Sequence, residues 1–187
     1  RIDANGTNTT IATSNGWCNT TSVSLTNLAD GNRVINVYAN DSYGNLALNN
    51  SFVVTVDTTL PLISFNPSTE TDSVYLNRNW ALVNVTSSDT NLDATRLSWQ
   101  NVNETFDSNS GSNYWENKTS LSDANYTFFA WNNDSANNRN FTSSRTIIID
   151  TTKPTINITL PEVASSKIYN NGTSINLNFT ISDTNGA

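Results

Sequence analysis

Runs in which apolar and polar residues alternate recur along this chain. In residues 81–87, Ala81, Val83 and Val85 occupy every second position, and Asn84 and Thr86 lie between them. A period of two is typical of a β-strand that buries one face and exposes the other. The pattern therefore predicts a strand whose odd-numbered side chains enter a core.

The same period predicts further strands. They cover residues 35–39 (Ile35, Val37, Ala39), 52–56 (Phe52, Val54, Val56), 128–132 (Phe128, Ala130, Asn132), 145–149 (Arg145, Ile147, Ile149) and 175–181 (Ile175, Leu177, Phe179, Ile181). Clusters of Asn, Asp, Gly and Ser separate these runs, as turns do. No long stretch has helical spacing, so the prediction is an all-β chain.

An internal repeat organises these strands. The segments Leu28-Ala29-Asp30, Asn40-Asp41-Ser42 and Asp57-Thr58-Thr59 return 93 residues later as Leu121-Ser122-Asp123, Asn133-Asp134-Ser135 and Asp150-Thr151-Thr152. After one inserted residue, Ser88-Asp89-Thr90-Asn91 meets Ser182-Asp183-Thr184-Asn185. Short strands in a repeat of about this length predict tandem β-sandwiches.

The repeated segments resemble those of tandem immunoglobulin-like (Ig-like) repeats in bacterial and archaeal cell-surface or extracellular filament proteins. The resemblance rests on residues 28–45, which match a DG-x-Y…A-x-D-x-x-GN pattern except at Arg33, and on the DTTxP segment at 150–154. It implies that Tyr126 forms a tyrosine corner and that Trp99 lies in the core. Arg33 replaces the corner tyrosine in the first copy, and this departure is expected to weaken that corner.

The DTTxP segments predict the domain boundaries. Residues 1–57 form the C-terminal part of one Ig-like domain, residues 58–150 a complete domain, and residues 151–187 the N-terminal strands of the next. The sequence is thus expected to be cut out of phase with its own domains. The absence of methionine likewise suggests a mature fragment or a piece of a longer chain.

Composition excludes several functions. The net charge is −7 and the pI near 4.3, which argues against nucleic-acid binding. No His is present, so Ser–His and Cys–His catalysis and His-ligated metals are excluded. No apolar run is long enough to predict a membrane span. Polarity comes from 33 Asn, 27 Thr and 23 Ser rather than from charge.

The carboxylates do not predict an active site. Asp recurs at matched positions in both repeats, at Asp30/Asp123, Asp41/Asp134, Asp57/Asp150 and Asp89/Asp183. Aspartates that recur in every repeat are typical of a structural role, so Asx-turns and loop caps are one interpretation. The other is calcium, which takes six to eight oxygen ligands, with Asp57 and Asp150 at the linkers as weak candidates. No other cofactor is predicted, and calcium calorimetry would test this one.

Aromatic residues and the cysteine allow alternatives. Trp17, Trp80, Trp99, Trp115 and Trp131 could stack on sugars, as in carbohydrate-binding modules. Alternation places Trp131 on the outer face of its strand. Cys18 is interpreted as a small, partly buried hydrophobe, with a bridge between chains as the alternative.

The chain is rich in N-glycosylation sequons. Fourteen occur, at Asn5, Asn8, Asn19, Asn40, Asn49, Asn84, Asn103, Asn117, Asn125, Asn133, Asn140, Asn157, Asn171 and Asn178. Composition alone would give about nine. Their repeat-matched placement is the better argument, because Asn40 pairs with Asn133 and Asn84 with Asn178. We expect occupied sites on outward strand faces.

Two functions remain in competition. The leading hypothesis is a non-enzymatic, N-glycosylated structural unit of an extracellular filament, stalk or surface layer. It would self-associate into a linear polymer head-to-tail, by donor-strand exchange, or lie in a tandem array. The alternative is an adhesin or a carbohydrate-binding accessory module, which a glycan array would detect. An enzyme is a distant third hypothesis.

Overall fold

The computed structural model describes residues 2–3, 8–9, 13–14, 17–18, 25–160, 170–172, 174 and 176–183. Throughout these residues, all regular structure is β. Ile175, Asn5 and Asn19 lie outside them, so the expectations for these three residues have no structural counterpart here.

The strands cover the predicted runs with one exception. The run predicted at residues 175–181 is shorter, because Asn176 and Leu177 have no regular structure and its strand begins at Asn178. Those before residue 57 are β1 (Ile2–Asp3), β2 (Asn8–Thr9), β3 (Thr13–Ser14), β4 (Trp17–Cys18), β5 (Gly31–Asn40) and β6 (Leu46–Val56). Then come β7 (Leu62–Phe65), β8 (Val74–Leu76), β9 (Ala81–Ser88), β10 (Leu92–Trp99), β11 (Val102–Thr105), β12 (Ser108–Ser110), β13 (Asn113–Lys118), β14 (Ala124–Asp134), β15 (Arg139–Phe141) and β16 (Arg145–Ile149). The last are β17 (Thr155–Leu160) and β18 (Asn178–Ser182).

Strands β7 to β16 form the two sheets of an Ig-like β-sandwich. One sheet has the order β12-β13-β9-β7, and the other β11-β10-β14-β16-β8, with β15 on β14. Strand β8 runs parallel to β16, whereas the registers of β14 with β16 and of β13 with β9 are antiparallel. The all-β fold expected from the alternation is confirmed, and the two sheets agree with the Ig-like sandwich that the resemblance implies.

The remaining strands form smaller sheets. They have the orders β2-β1-β5-β6, β3-β4 and β17-β18. The chain divides into two compact units, one of Arg1–Leu62, Ser88–Ala94 and Asn132–Asn140, the other of Ile63–Ser87, Thr95–Trp131 and Phe141–Ala187. The domain boundaries at residues 57 and 150 stay a prediction.

The second unit holds the hydrophobic core. Its buried cluster draws on both sheets of the sandwich and comprises Leu76, Ala81, Val83, Leu97, Phe128, Ile147 and Ile149. Phe65 meets Phe128 edge to face with ring centroids 5.7 Å apart. Trp99 stacks on Phe128 at 5.5 Å. Burying a Val, Leu, Ile or Phe side chain contributes about 1.5–3 kcal/mol, so this cluster is the main source of the unit's stability.

Hairpin β5–β6 in the first unit has the same register as β14–β16 in the second after a shift of 93 residues. Gly31↔Val56, Arg33↔Val54 and Ile35↔Phe52 correspond to Ala124↔Ile149, Tyr126↔Ile147 and Phe128↔Arg145. The two strand pairs therefore present equivalent residues on equivalent faces.

Candidate functional site

A linker clasp joins the start of β5 to the residues that follow β6. We define the first linker clasp as Asp30, Thr58 and Thr59. Thr58 donates from its backbone N–H (2.9 Å) and its hydroxyl (2.7 Å) to Asp30 Oδ1. The Thr59 hydroxyl donates to Asp30 Oδ2 at 2.6 Å. One carboxylate therefore fixes both residues of the predicted linker.

The second linker clasp, Asp123 with Thr151 and Thr152, repeats this geometry. The same three hydrogen bonds measure 2.9, 2.7 and 2.6 Å. Thr152 N–H also donates to Asp150 Oδ1 at 3.1 Å. The threonine hydrogen bonds lower the pKa of Asp123 and, in the first clasp, that of Asp30. Both carboxylates are thus held in the ionised form that accepts these bonds.

The turn that follows β5 is an Asx-turn built on Asp41. Asp41 Oδ1 accepts the backbone N–H of Tyr43 and of Asn45, both at 2.9 Å. Asn45 Nδ2 donates to Asp41 Oδ2 at 2.7 Å, and this bond is the largest cause of the lowered pKa of Asp41. Gly44 has a φ of 87°, which a glycine adopts without strain.

The turn within and after β14 repeats this arrangement on Asp134. Its Oδ1 accepts the N–H of Ala136 (2.9 Å) and of Asn138 (2.8 Å), and its Oδ2 accepts Asn138 Nδ2 (2.7 Å). Asn137, with a φ of 68°, takes the place of the glycine, since Asn tolerates this conformation. Burial raises the pKa of Asp134, but these hydrogen bonds outweigh it, so the pKa is lowered.

Three carboxylates meet in the first unit. Asp57, Asp89 and Asp134 each offer an oxygen, and these atoms lie within 4.8 Å of one another. Carboxylate oxygens are ligands that calcium accepts, although calcium needs six to eight of them. The structure therefore places the candidate Asp57 beside two further aspartates. Among the described residues no such group surrounds the other candidate, Asp150.

Each carboxylate of this cluster already accepts an amide hydrogen. Asn91 donates from Nδ2 to Asp57 Oδ2 (2.8 Å) and from its backbone N–H to Asp89 Oδ1 (2.7 Å). Asn138 Nδ2 bridges Asp134 Oδ2 and the Asp57 carbonyl, the latter at 3.0 Å. These donors account for the grouping without an ion, so calcium binding stays a prediction.

An open cavity of about 270 Å³ adjoins the cluster. It is lined by Thr55, Asp57, Asn91, Ser135 and Ala136. Asn91 and Asn138 were missed by the sequence argument, which considered only acidic ligands. The recurrence of Asn45 as Asn138, at the same shift of 93 residues, was the signal that pointed to a structural role.

The expected tyrosine corner is present at Tyr126. Its hydroxyl accepts the Ser122 N–H at 3.1 Å and donates to the Ser122 carbonyl at 3.2 Å. In the first unit, the guanidinium of Arg33 donates to the Ala29 carbonyl from Nε (3.2 Å) and Nη2 (2.5 Å). Arg33 therefore keeps the carbonyl contact of the corner four residues upstream.

An ion-pair triad lies at the end of β13. Lys118 Nζ contacts both Glu104 and Glu116, and it lies 5.6 Å from the centre of the Trp99 ring. Desolvation raises the pKa of Glu116 despite Lys118. The two glutamates raise the pKa of Lys118 against its own desolvation. No sequence signal singled out this triad.

The tryptophans do not share one surface role. Trp99 packs on the core, stacked on Tyr126 at 5.5 Å. Trp80 is exposed, with the Arg78 guanidinium 4.1 Å from its ring centre. Trp131 is half-buried and donates from Nε1 to Asn103 at 3.1 Å. Trp115 is half-buried in β13, and of Trp17, as of Cys18, the structure describes only the backbone strand.

The sequon asparagines differ in exposure. Those with exposed side chains are Asn40, Asn49, Asn103, Asn117, Asn125, Asn157, Asn171 and Asn178, whereas Asn84, Asn133 and Asn140 are half-buried. Of Asn8 only the backbone is described. Asn84 Nδ2 donates to Ser68 Oγ at 3.1 Å, and Asn133 Nδ2 to Asp93 Oδ2 at 3.0 Å. The repeat-matched sequons are therefore not equally open to solvent.

Comparison with known proteins identifies no family. No protein-family model and no curated protein matches the chain. It is similar to the fibronectin(III)-like modules of CbhA from Clostridium thermocellum, with 14% identity and a TM-score of 0.37 over 65% of this chain and 63% of that one. It is also similar to SGBP-B of the Bacteroides ovatus mixed-linkage glucan utilization locus, in complex with a mixed-linkage heptasaccharide. That match has 16% identity and a TM-score of 0.26 over 84% of this chain.

The chain spans 63% and 39% of the lengths of these two structures. At such identities and TM-scores, neither likeness carries an argument about what this chain does. Separately, the described residues contain no helix long and apolar enough to cross a bilayer.

Proposed function

We propose that this chain is a non-catalytic structural unit of an extracellular, N-glycosylated protein. Its Ig-like domains act as spacers, held in series by the linker clasps. The unit assembles head-to-tail with other copies or lies in a tandem array, as in a filament, stalk or surface layer.

The twice-repeated linker clasp carries this proposal. Asp30 and Asp123 each bind the two threonines of a linker through three hydrogen bonds of the same lengths. Fixing the backbone just after the last strand of a domain limits the directions in which the chain can continue. A module whose work is to hold a set spacing needs this restriction at every joint, whereas a catalytic group is needed in one pocket.

The surface composition supports the extracellular and glycosylated part of the proposal. Charged residues are only 13% of the chain, so uncharged amide and hydroxyl groups supply most of its polarity. Exposed sequons such as Asn40, Asn117 and Asn157 offer amide nitrogens to which a bulky, hydrated sugar attaches. In this proposal, covalent N-glycans add a hydrated layer to this sparsely charged surface.

Amide hydrogen exchange tests the clasps directly. In the Asp30→Ala/Asp123→Ala variant, we expect exchange at Thr58 and Thr151 to accelerate by about tenfold or more, because their N–H groups lose their acceptors. Asp72→Ala is the matched control. Asp72 accepts the Thr146 N–H at 2.7 Å away from the linkers, so this control should accelerate Thr146 and leave both linkers unchanged.

Small-angle scattering from dilute samples tests the spacer role. Loss of both clasps should broaden the distribution of particle dimensions, whereas Asp72→Ala should not. An unchanged distribution in the double variant would contradict the spacer role. Specific binding of the purified chain on a glycan array would instead favour the alternative of an adhesin or carbohydrate-binding module, for which the exposed Trp80 is the candidate platform.

A further inference from the structure

The pair β17–β18 presents an uncovered apolar face. Ile156 lies opposite Ile181, and Ile158 lies opposite Phe179. Cross-strand partners and their neighbours two residues along share one face of a sheet, so these four side chains lie together. Between 45% and 66% of each remains exposed. Exposing a contiguous apolar face of this kind is unfavourable, and it marks an interaction surface.

Hairpin β5–β6 presents a second apolar face in the first unit. Ile35, Val37 and Val54 occupy the positions that correspond to Phe128, Ala130 and Ile147 after the shift of 93 residues. Phe128, Ala130 and Ile147 are fully buried. In contrast, 44% of Val37 is exposed and Val54 is half-buried, whereas Ile35 is already buried, with 8% of its surface exposed. This face therefore has the register of a sandwich interior but only part of its cover.

The complete sandwich indicates what covers such a face. There, Phe65 of β7 packs edge to face on Phe128 of β14, and Val83 of β9 joins the same cluster as Ile147 of β16. Ile158 corresponds to Phe65 after a shift of 93 residues, and Leu177 to Val83 after a shift of 94. The β17–β18 face and the partly covered β5–β6 face thus correspond to the two halves that cover each other in the complete domain.

We propose that the β17–β18 face of one copy packs on the β5–β6 face of a second copy and completes an Ig-like sandwich between them. The proposal rests on the structural role proposed above and names the partner and surface of that assembly. In the complete domain these strands belong to opposite sheets, so the contact is packing of sheet on sheet through Ile158, Phe179, Val37 and Val54.

The contact is head-to-tail, because each copy uses different surfaces as donor and acceptor. A heterologous contact that does not close on itself generates an open polymer. Every added copy buries one apolar face of each kind, so assembly grows with protein concentration.

Sedimentation of the 187-residue chain over a concentration series tests the proposal. We expect the weight-average mass to rise by at least about threefold from dilute to concentrated samples, with linear particles in negative stain. Phe179→Asp places a charge on the proposed contact face and should keep the chain monomeric. Thr180→Asp, on the opposite face of the same strand, should assemble as the parent chain does. A monomer at every concentration, amorphous aggregates, or equal behaviour of the two variants would overturn the proposal.

Cross-linking identifies the partner surfaces. Two chains lacking the native thiol (Cys18→Ser) are mixed, one carrying Val37→Cys, at an exposed position of the acceptor face, and the other Ile158→Cys. A short thiol cross-linker should join them, whereas Asn157→Cys, which faces away, should react far less with Val37→Cys. A chain that carries both thiols and cross-links only within itself would overturn the proposal. If the chain stays monomeric but the clasp variants still change linker exchange, this inference fails and the spacer role stands.

Discussion

At the scale of single residues, Lys118 stabilises two partly desolvated carboxylates. Its ammonium contacts Glu104 and Glu116, whose side chains are 31% and 7% exposed. Glu116 Oε2 is buried and has no hydrogen-bond partner among the described residues, so the lysine is the main compensation for this charge. Removing one partner of such a group leaves an uncompensated buried charge, which is costly.

We predict that Lys118→Met lowers the free energy of unfolding by about 2–4 kcal/mol at neutral pH. The pKa of Glu116 is already raised by burial and loses the lysine that opposes this, so it rises further. A carboxyl with a raised pKa is favoured in its protonated form by the folded state. The deficit of the variant should therefore shrink as the pH falls through that raised pKa. Chemical denaturation of both proteins over a pH series measures this.

The control for this prediction removes the charge and its partner together. In Lys118→Met/Glu116→Leu the more deeply buried carboxylate is removed together with the lysine, and only Glu104, which is 31% exposed, loses its partner, so most of the stability should return. If Lys118→Met is as stable as the parent chain at neutral pH, the triad does not have the role assigned here. In the parent chain, the raised pKa of Lys118 means that its contribution is lost only as the pH rises above its ordinary value of 10.5.

The sequence could predict the residues of the repeated turns but not those of the triad. Asp41 and Asp134 recur at matched positions before turn-forming residues, and a local Asx-turn follows from such a pattern. Glu104 and Lys118 meet only because β11 and β13 bring them together across two sheets. Asn91 likewise reaches Asp57 across 34 residues. Contacts between distant segments leave no mark in local periodicity.

At the scale of elements, the corners at the start of β5 and β14 make the same backbone contact with different side chains. The Tyr126 hydroxyl donates to the Ser122 carbonyl, and the Arg33 guanidinium donates to the Ala29 carbonyl. In both, a side chain in the strand holds the backbone four residues upstream, and so fixes where the strand begins.

We predict that Tyr126→Phe lowers the free energy of unfolding by about 1 kcal/mol, because two hydrogen bonds to Ser122 are lost and the ring is kept. Tyr114→Phe removes the same oxygen from a residue outside the corner and should change little. In the first unit, Arg33→Ala should weaken the hairpin, and Arg33→Tyr should restore it. Denaturant unfolding checks each step, and an Arg33→Tyr chain no more stable than Arg33→Ala would contradict the equivalence.

The alternation of apolar residues predicted the strands, but it predicted buried faces correctly only in the complete sandwich. In β5, β6 and β18 the same alternation leaves Val37, Phe52 and Phe179 exposed. Ala81, Val83 and Val85 are buried in β9 as expected, because a half-buried strand imposes a period of two on its own sequence. The role of Arg33 could not be predicted in this way. An arginine stands where the corner pattern has a tyrosine, and only the geometry reveals that its guanidinium reaches the equivalent carbonyl, that of Ala29.

At the scale of the whole molecule, glycosylation depends on which asparagine nitrogens the fold leaves accessible. Asn40 and Asn178 are exposed. Asn84 Nδ2 donates one of its two hydrogens to Ser68 Oγ and, within the described residues, keeps the other free for the sugar linkage. Asn133 Nδ2 donates to both Asp93 Oδ2 and the Asp134 carbonyl, so a sugar there must displace a hydrogen bond. Attaching a sugar is therefore least costly in free energy at Asn40 and Asn178 and most costly at Asn133, where a hydrogen bond is lost.

We predict that native material carries N-glycans at most sequons, including Asn40, Asn84, Asn133 and Asn178, with the lowest occupancy at Asn133. Site-resolved mass spectrometry, with intact mass before and after deglycosylation, measures both occupancy and sugar load. Asn66-Pro67-Ser68 supplies an internal control, because the proline excludes it as an acceptor and it should stay unmodified. All four asparagines bare on native protein would overturn the prediction. Occupancy at Asn133 equal to that at Asn40 would show that the sugar is added before these hydrogen bonds form.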